Sequence, residues 1–272
     1  MPTPSPTPAE ISERDSRRLA LVLRDIGGDG APIDSGWMSC DVLGSWATFG
    51  VGLGMDGPVD GAALDGLVEF YRSRDRQPRI KVTPHQHPSL AQGLSDRGFI
   101  VFEQETVLAH SLEQLSPNHS LPGLVFRPVD PSSPEDLEAF WASQTRGGFE
   151  DDEAPAGLRP IFERVVRHPR ATCWTMEYAG QIVGSGGLET FEDSGVLIAG
   201  CVHPEARRQG LHSAFIEFRL QAVREAGLRY AVIASLAGES THRNALRAGF
   251  TEAYTPHNLH LQPSANHEVV EG

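Results

Sequence analysis

Cysteine is scarce in this 272-residue chain: Cys40, Cys173 and Cys201 lie far apart and form no C-x-x-C pair. A disulfide scaffold and a thiol-ligated zinc site are therefore not expected, and a reduced, cytoplasmic protein is. No apolar run approaches the length of a membrane span, and Met1 to Glu10 carries Pro, Thr and Ser where a signal peptide would carry an apolar core. Residues 1–10 thus read as a disordered tail. Positive charge is also short, with 23 Lys and Arg against 36 Asp and Glu and a formal net charge of -13. Such a chain repels a phosphate backbone or an anionic lipid surface except at a local basic patch, which argues against nucleic acid and membrane as partners. A small molecule or a cationic partner fits better, with the protein a monomer or homodimer. A G-x-S-x-G elbow and a Walker A loop are both missing. His85, His87, His257 and His260 have no Cys or acidic partner at ligand spacing, so no metal is expected.

What is present is an alternation of short elements. A helix is expected from Glu10 to about Asp25, closed by Gly27-Gly28, followed by a turn-rich stretch from Asp29 to Leu43. A strand over Trp46 to Val51 leads into a glycine-rich loop, and Leu64, Leu67, Val68 and Tyr71 mark a helix from Asp60 to Arg74. A strand at Arg79 to Thr83, a helix at Pro88 to Arg97 and a strand at Glu103 to Ala109 follow, then a polar linker at Ser116 to Pro122. The second half reads as strand 124–127, a helix from Pro134, an acidic loop at Glu150 to Glu153 and a helix over 157–167. Strands at 172–178, 181–188 and 196–202 come next, then a helix over 210–225, a strand at 230–235, a helix at 241–248 and a last strand. The order is α+β, a mixed, mostly antiparallel sheet flanked by helices in an αβα arrangement.

Sliding the sequence by 151 residues aligns Ser89 with Ser240, Gly98 with Gly249, Phe99 with Phe250 and Leu108 with Leu259 without a gap. The same shift lays expected strand on strand and helix on helix, as a tandem repeat would, although coincidence between two α/β stretches is the alternative. Four segments follow: a tail 1–10, domains 11–118 and 119–262, and a tail 263–272.

The most informative stretch is Val202-His-Pro-Glu-Ala-Arg-Arg-Gln-Gly-Leu-His-Ser213, which joins a strand end to a helix start through a basic turn. Amide N–H groups converge at such a junction, the helix dipole adds partial positive charge, and Gly210 permits close approach of a diphosphate. Arg207 and Arg208 add formal charge that runs against the dipole unless an anion compensates it. A surface loop whose arginines pair with Glu205 or Glu217 is the plain alternative.

Arg207-Arg-Gln-Gly210-Leu-His212 resembles motif A of the GNAT acyltransferase superfamily, (Arg or Gln)-x-x-Gly-x-(Gly or Ala), with His212 in place of the small residue. Val202-His-Pro204 resembles the family's strand-ending Val-x-Pro, and Ser240 to Phe250 its Asn-containing helix before a Gly-Phe turn. The resemblance spans about Leu124 to Leu261 and implies tandem GNAT-like domains, the N-terminal copy truncated. It implies acetyl-CoA as co-substrate, held by Cys201, Val202, His203, Arg207, Arg208, Gln209, Gly210, Leu211, His212, Ser213 and Asn244. The strands ending at Val202 and at Ser235 would part to admit the pantetheine arm, and an amide near Val202 would face the thioester oxygen. The activity implied is acetyl transfer to a primary amine of a small molecule or peptide by direct attack. A non-catalytic acyl-CoA sensor is the alternative.

The reacting groups are less legible. The tyrosine that many members use to protonate the departing thiolate is replaced by Ala245, which leaves Tyr254 as the substitute acid. Glu189 is the candidate base, beside Glu192, and an ordered water the other route. Glu150, Asp151 and Asp152 are candidates for attracting a cationic amine. In the first half Gly52-Leu-Gly-Met-Asp-Gly57 matches a dinucleotide pattern, but no acid follows to hold a ribose. The 151-residue shift drops it on the pyrophosphate loop with its basic residues gone, so this half reads as degenerate.

Overall fold

The computed structural model describes residues 6–43, 45–113, 115, 121–149, 154, 155 and 157–262. The chain divides into two compact units, one built from Pro8–Glu105 and the segment from Tyr254 onward, the other including Thr106–Ala253.

The first unit opens with helix α1 (Pro8–Ile26), whose Ile11, Leu19, Val22, Leu23 and Ile26 recur at helical spacing and are buried. The helix starts at Pro8, two residues before the end of the expected disordered tail, because proline suits a first helical turn. Strands β1 (Asp29–Ile33) and β2 (Gly36–Cys40) follow as a hairpin. This corrects the expectation of irregular turns over 29–43. Asp34 adopts φ 48°, so the pair Asp34-Ser35 closes a two-residue turn, and Pro32 is tolerated because β1 is an edge. Next come β3 (Phe49–Val51), helix α2 (Gly61–Arg72), β4 (Arg79–Val82), helix α3 (Pro88–Asp96) and β5 (Phe99–His110), the last of which carries the boundary between the units. The strands run in the order β1-β2-β3-β4, with β3 and β4 parallel. Leu53, Leu64, Leu67, Tyr71, Ile80 and Leu90 fill the core beneath them.

The second unit contains β6 (Leu124–Pro128), helices α4 (Pro134–Gly148) and α5 (Arg159–Arg167), then β7 (Ala171–Tyr178), β8 (Gln181–Phe191) and β9 (Ser194–Val202). A 3-10 turn (Pro204–Ala206) leads to helix α6 (Leu211–Glu225), β10 (Tyr230–Leu236), helix α7 (Ser240–Arg247) and β11 (Thr251–Tyr254). Helix α4 begins where Ser133 accepts from the Asp136 amide with Pro134 at the first position, a strong start signal. The sheet order is β10-β9-β8-β7-β6, antiparallel except for β10 with β9. Alternation along β7 sends Trp174 and Met176 to one face, where Phe215, Ile216, Leu220 and Val223 of α6 pack, and Cys173 to the other, against Leu137, Phe140 and Val166 of α4 and α5. Each such apolar side chain contributes about 1.5–3 kcal/mol by leaving water.

The last strand, β12 (His257–Leu261), was expected in the second domain and clusters with the first unit. Its backbone finds partners in β4 and in the first half of β5, so the boundary falls at Glu105/Thr106 and not at residue 118. A shift of 151 residues nonetheless lays β4 on β10, α2 on α6 and α3 on α7, and a parallel pair precedes the same helix in each unit.

Tyr254 anchors the start of this return segment: its hydroxyl donates to Asp15 Oδ2 at 2.7 Å, and Arg18 pairs with the same carboxylate at 2.8 Å. Burial raises the Asp15 pKa, but the Arg18 charge and the Tyr254 and Arg18 donors outweigh it and hold it below the ordinary value. The pair therefore stabilises the fold above the unfolded carboxylate pKa of about 3.9, and the contribution fades as pH falls through the lower folded value. Tyr254→Phe is expected to lower stability by about 1–3 kcal/mol at neutral pH in urea denaturation, with a smaller difference from the parent in strong acid.

Candidate functional site

The site begins where two parallel strands stop pairing. β9 and β10 are matched only at Ser194–Val196 against Tyr230–Val232, and β9 then continues to Val202 and β10 to Leu236 without each other. On its other side β9 meets β8 with a register shift: Ser185 faces Cys201 and Gly187 faces Ile198, so Gly186 opposes both Ala199 and Gly200. This is a β-bulge, with Ala199 at φ 51°. Buried Gln144 of α4 holds it, donating from Nε2 to the Ala199 carbonyl and to Ser185 Oγ, both at 2.8 Å. Backbone groups that a regular ladder would consume are thereby left facing a cleft. The bulge lies upstream of Val202, which pairs regularly with Gly184.

Beyond Val202 the chain forms the 3-10 turn and then reverses through Arg208 (φ 64°) and Gly210 (φ 80°) into α6. Gly210 is the N-cap and supplies no side-chain oxygen. Among the described residues, no hydrogen bond engages the amides of Arg208 to Ser213, and the first helical bond runs from the Ala214 amide to the Gly210 carbonyl. Six main-chain donors at a helix N-terminus therefore converge without an internal acceptor. Arg207 braces the turn, donating from Nε to the Val202 carbonyl at 3.2 Å and from Nη2 to the Gly147 carbonyl at 3.3 Å. Glu205 pairs with Arg146 at 2.9 Å. The side chains of Cys201 and His203 turn to Ser143 of α4, and burial raises the Cys201 thiol pKa, which favours its neutral form.

A cavity of about 110 Å³ opens between the parted strands and the two following helices, lined by Leu197, Ala199, Gly200, Ile233 and Ala234 and by His212, Arg219 and Thr241. His212, which replaces a small residue in the motif, does not block the amide nest. Its ring points inward, where Asn244 Nδ2 donates to Nδ1 at 3.0 Å. Asn244 Oδ1 meanwhile accepts from Arg247, which fixes the amide orientation and leaves the imidazole proton on Nε2. Burial and then the charge of Arg219 push its pKa down to about 4. Asn244 thus touches the turn at the start of α6 through His212.

Arg219 is 1% exposed. Its Nη1 donates to the Gly187 and Ile198 carbonyls at 3.2 and 3.3 Å, its Nε donates to the Phe215 carbonyl, and burial lowers its pKa to about 9. Neither this residue nor Gln144 was found from sequence, although Arg219 lies on the same helical face as Phe215, Ile216 and Val223 and is conspicuous there as an arginine on an apolar stripe.

The expected reacting groups do not line the cavity. Glu189 lies inside β8, which runs on to Phe191, and is buried beside Arg170, 3.4 Å away, on the face opposite Leu188. Tyr254 is buried in the other unit, where its hydroxyl is committed to Asp15 and its pKa is raised well above the ordinary value by burial and by that carboxylate. Glu150, Asp151 and Asp152 lie outside the described residues.

In the first unit the corresponding loop is filled by its own side chains. Asp34 Oδ2 accepts from the Gly54 amide at 3.0 Å, Ser35 Oγ accepts from the Met55 amide at 3.2 Å, and Asp60 caps α2 by accepting from Ala63. These acceptors engage loop and helix amides and place the Asp34 and Asp60 carboxylates against them.

Residues 135–250 match the model of the acetyltransferase (GNAT) family. By structure, the chain is similar to a GCN5-related N-acetyltransferase from Kribbella flavida at 17% identity, with 92% of this chain and 96% of that one covered and a TM-score of 0.66. It is similar to a GCN5-related N-acetyltransferase from Sphaerobacter thermophilus (16% identity, 96% and 95% covered, TM-score 0.57). It is also similar to a tandem GNAT protein from the clavulanic acid biosynthesis pathway (17%, 75% and 70%, TM-score 0.57). No curated protein shows significant sequence similarity.

Neutral, inward-facing His212 has a consequence for acid stability. Its folded pKa of about 4 lies below the unfolded value of about 6.5. The unfolded state therefore takes up the proton first, and stability is full above about pH 6.5 and declines as pH falls toward 4, by up to roughly 3 kcal/mol. His212→Gln is expected to flatten this part of the melting-temperature against pH profile, with the difference vanishing above pH 7.

Proposed function

We propose that this chain, whose residues 135–250 match the model of the acetyltransferase (GNAT) family, transfers an acetyl group from acetyl-CoA to a primary amine of a small molecule or peptide. The observation that carries this reading is the set of six unengaged amides at the start of α6, next to the parted ends of β9 and β10. A diphosphate satisfies donors so arranged, and no other acceptor is offered to them among the described residues. Arg208 adds charge at the rim while Arg207 keeps the turn in shape. Exposed edge groups of β9 and β10 suit the amide-bearing pantetheine arm, which would take hydrogen bonds as an added strand does.

When bound, acetyl-CoA supplies an activated thioester. The C–N bond to the acceptor forms as the C–S bond breaks, and the amine proton ends on the released thiol. The chain's part is to orient the two reactants and stabilise developing charge. Amides at the Ala199–Gly200 bulge, held by Gln144, are pre-aimed donors for the oxygen that gains negative charge, a contribution of about 2.7–4 kcal/mol in comparable sites. Among the described residues no carboxylate or phenol lines the cavity, and proton removal through ordered water is the route we favour. The formal charge of -13 favours a cationic acceptor, and three free, buried cysteines suit a reducing, cytoplasmic setting.

The absence of tyrosine at Ala245 and the commitment of Tyr254 to Asp15 favour one second reading, a non-catalytic acyl-CoA-binding module. Calorimetric titration with coenzyme A and free-thiol release over a panel of amines separate the two. Gly210→Val is expected to weaken coenzyme binding at least tenfold, because valine is strained at φ 80° and disturbs the amide nest. Unchanged affinity would remove the loop from the site. Binding without turnover on every amine would leave the module reading.

A further inference from the structure

Arg219 carries a formal charge in the core with no acid beside it. Its guanidinium is held by three main-chain carbonyls and lies over the Phe215 ring, 4.2 Å from its centroid. Nη2, however, has no hydrogen-bond partner among the described residues, although it is shut off from solvent. A buried cation with an unused N–H is costly, by several kcal/mol, unless something negative meets it. Its ionisable neighbours are the Cys173 and Cys201 thiols, both driven toward the neutral form by burial, and neutral His212. The chain has 36 acidic residues and places none of them in an ion pair with Arg219 among the described residues.

The guanidinium as a whole packs against Gly200, with Nη2, Nη1 and Cζ at 3.0, 3.2 and 3.5 Å from the point a Cβ there would occupy, so the missing side chain at the bulge is what makes room for the group, and Gly200 and Arg219 line the same cavity. Thr241 and His212, with its proton on Nε2, add hydrogen-bonding capacity to a wall otherwise made by Leu197, Ile233 and alanines. At about 110 Å³ the space would hold several waters or a short acyl tail.

Resting on the acyl-CoA reading above, we propose that the acyl group this protein accepts ends in a carboxylate, as in malonyl- or succinyl-CoA, and that Arg219 binds that carboxylate from inside the cavity. An acetyl methyl would leave Nη2 facing carbon, whereas a carboxylate oxygen takes its proton in a charge-assisted bond. The distal carboxylate takes no part in bond making: it passes unchanged into the amide product as the C–S bond breaks and the C–N bond forms. Arg219 is here a specificity-determining residue.

The test is calorimetric titration of the full-length protein with coenzyme A, acetyl-CoA, butyryl-CoA, malonyl-CoA and succinyl-CoA. The wild type is expected to bind one of the two carboxylate-bearing thioesters about 10- to 100-fold more tightly than butyryl-CoA. Arg219→Met should erase that preference while leaving affinity for free coenzyme A within about twofold, and Arg219→Lys should retain part of it. Equal or weaker binding of both charged thioesters relative to butyryl-CoA in the wild type overturns the inference and leaves the acyl-CoA reading standing. If no thioester and no coenzyme A binds, both fall. Should Arg219→Met not fold, the wild-type series decides alone.

Discussion

A parallel strand pair that ends early governs the second unit. Three matched residues tie β9 to β10, and past Val196 and Val232 the strands diverge. Polar backbone groups cannot stay buried and unpaired, so each consequence of the divergence is a different way of meeting that demand. Gln144 reaches across to the Ala199 carbonyl at the bulge, Arg219 takes the carbonyls of Gly187 and Ile198 from below, and the strand end is tied by Arg207 to the α4 terminus. Among the described residues, the amides at the start of α6 and one Arg219 guanidinium nitrogen remain without an acceptor beside the cleft. These are the places where a ligand has most to contribute.

The two units fill one local geometry with different side chains. Each leads a strand into a glycine-containing loop and a helix. In the first, Asp34 and Ser35 of the preceding hairpin enter the loop and Asp60 caps the helix, which satisfies the donors and places negative charge where an anion would sit. In the second the helix has a glycine cap and no acidic residue in its first turn. A like charge within hydrogen-bonding distance costs more than a shared loop shape can return, so the difference lies in the side chains that enter the loop and not in its backbone path.

Three buried or half-buried polar pairs of the second unit border the cleft. His203 meets Ser143, Gln144 meets Ser185, Asn244 meets His212, and each pair links a helix to the strand or loop that borders the opening. Apolar packing of Phe215, Leu220 and Val223 holds the layers together. The polar pairs fix relative positions at the edge where packing alone would leave several arrangements close in energy.

Much of the fold could be read along the chain because periodicity is a local property. The stripe through Leu64, Leu67 and Tyr71, the start signal Ser133-Pro134, and the strand–turn–helix at Val202 to Leu211 depend only on neighbours within a few residues. The hairpin at Asp29–Cys40 was hidden because its turn uses Asp34 at positive φ and its edge strand tolerates proline, both weak signals. The destination of β12 was hidden more deeply, since strand pairing between residues about 180 positions apart is a choice among many edges. Sequence by itself marked out the strand–turn–helix at Val202 to Leu211, whose unengaged amides come from consecutive residues. Only the tertiary structure decided that Tyr254 serves Asp15, that Glu189 turns away beside Arg170, and that Arg219 reaches the cavity, because each depends on which distant surface the side chain meets once the layers have packed.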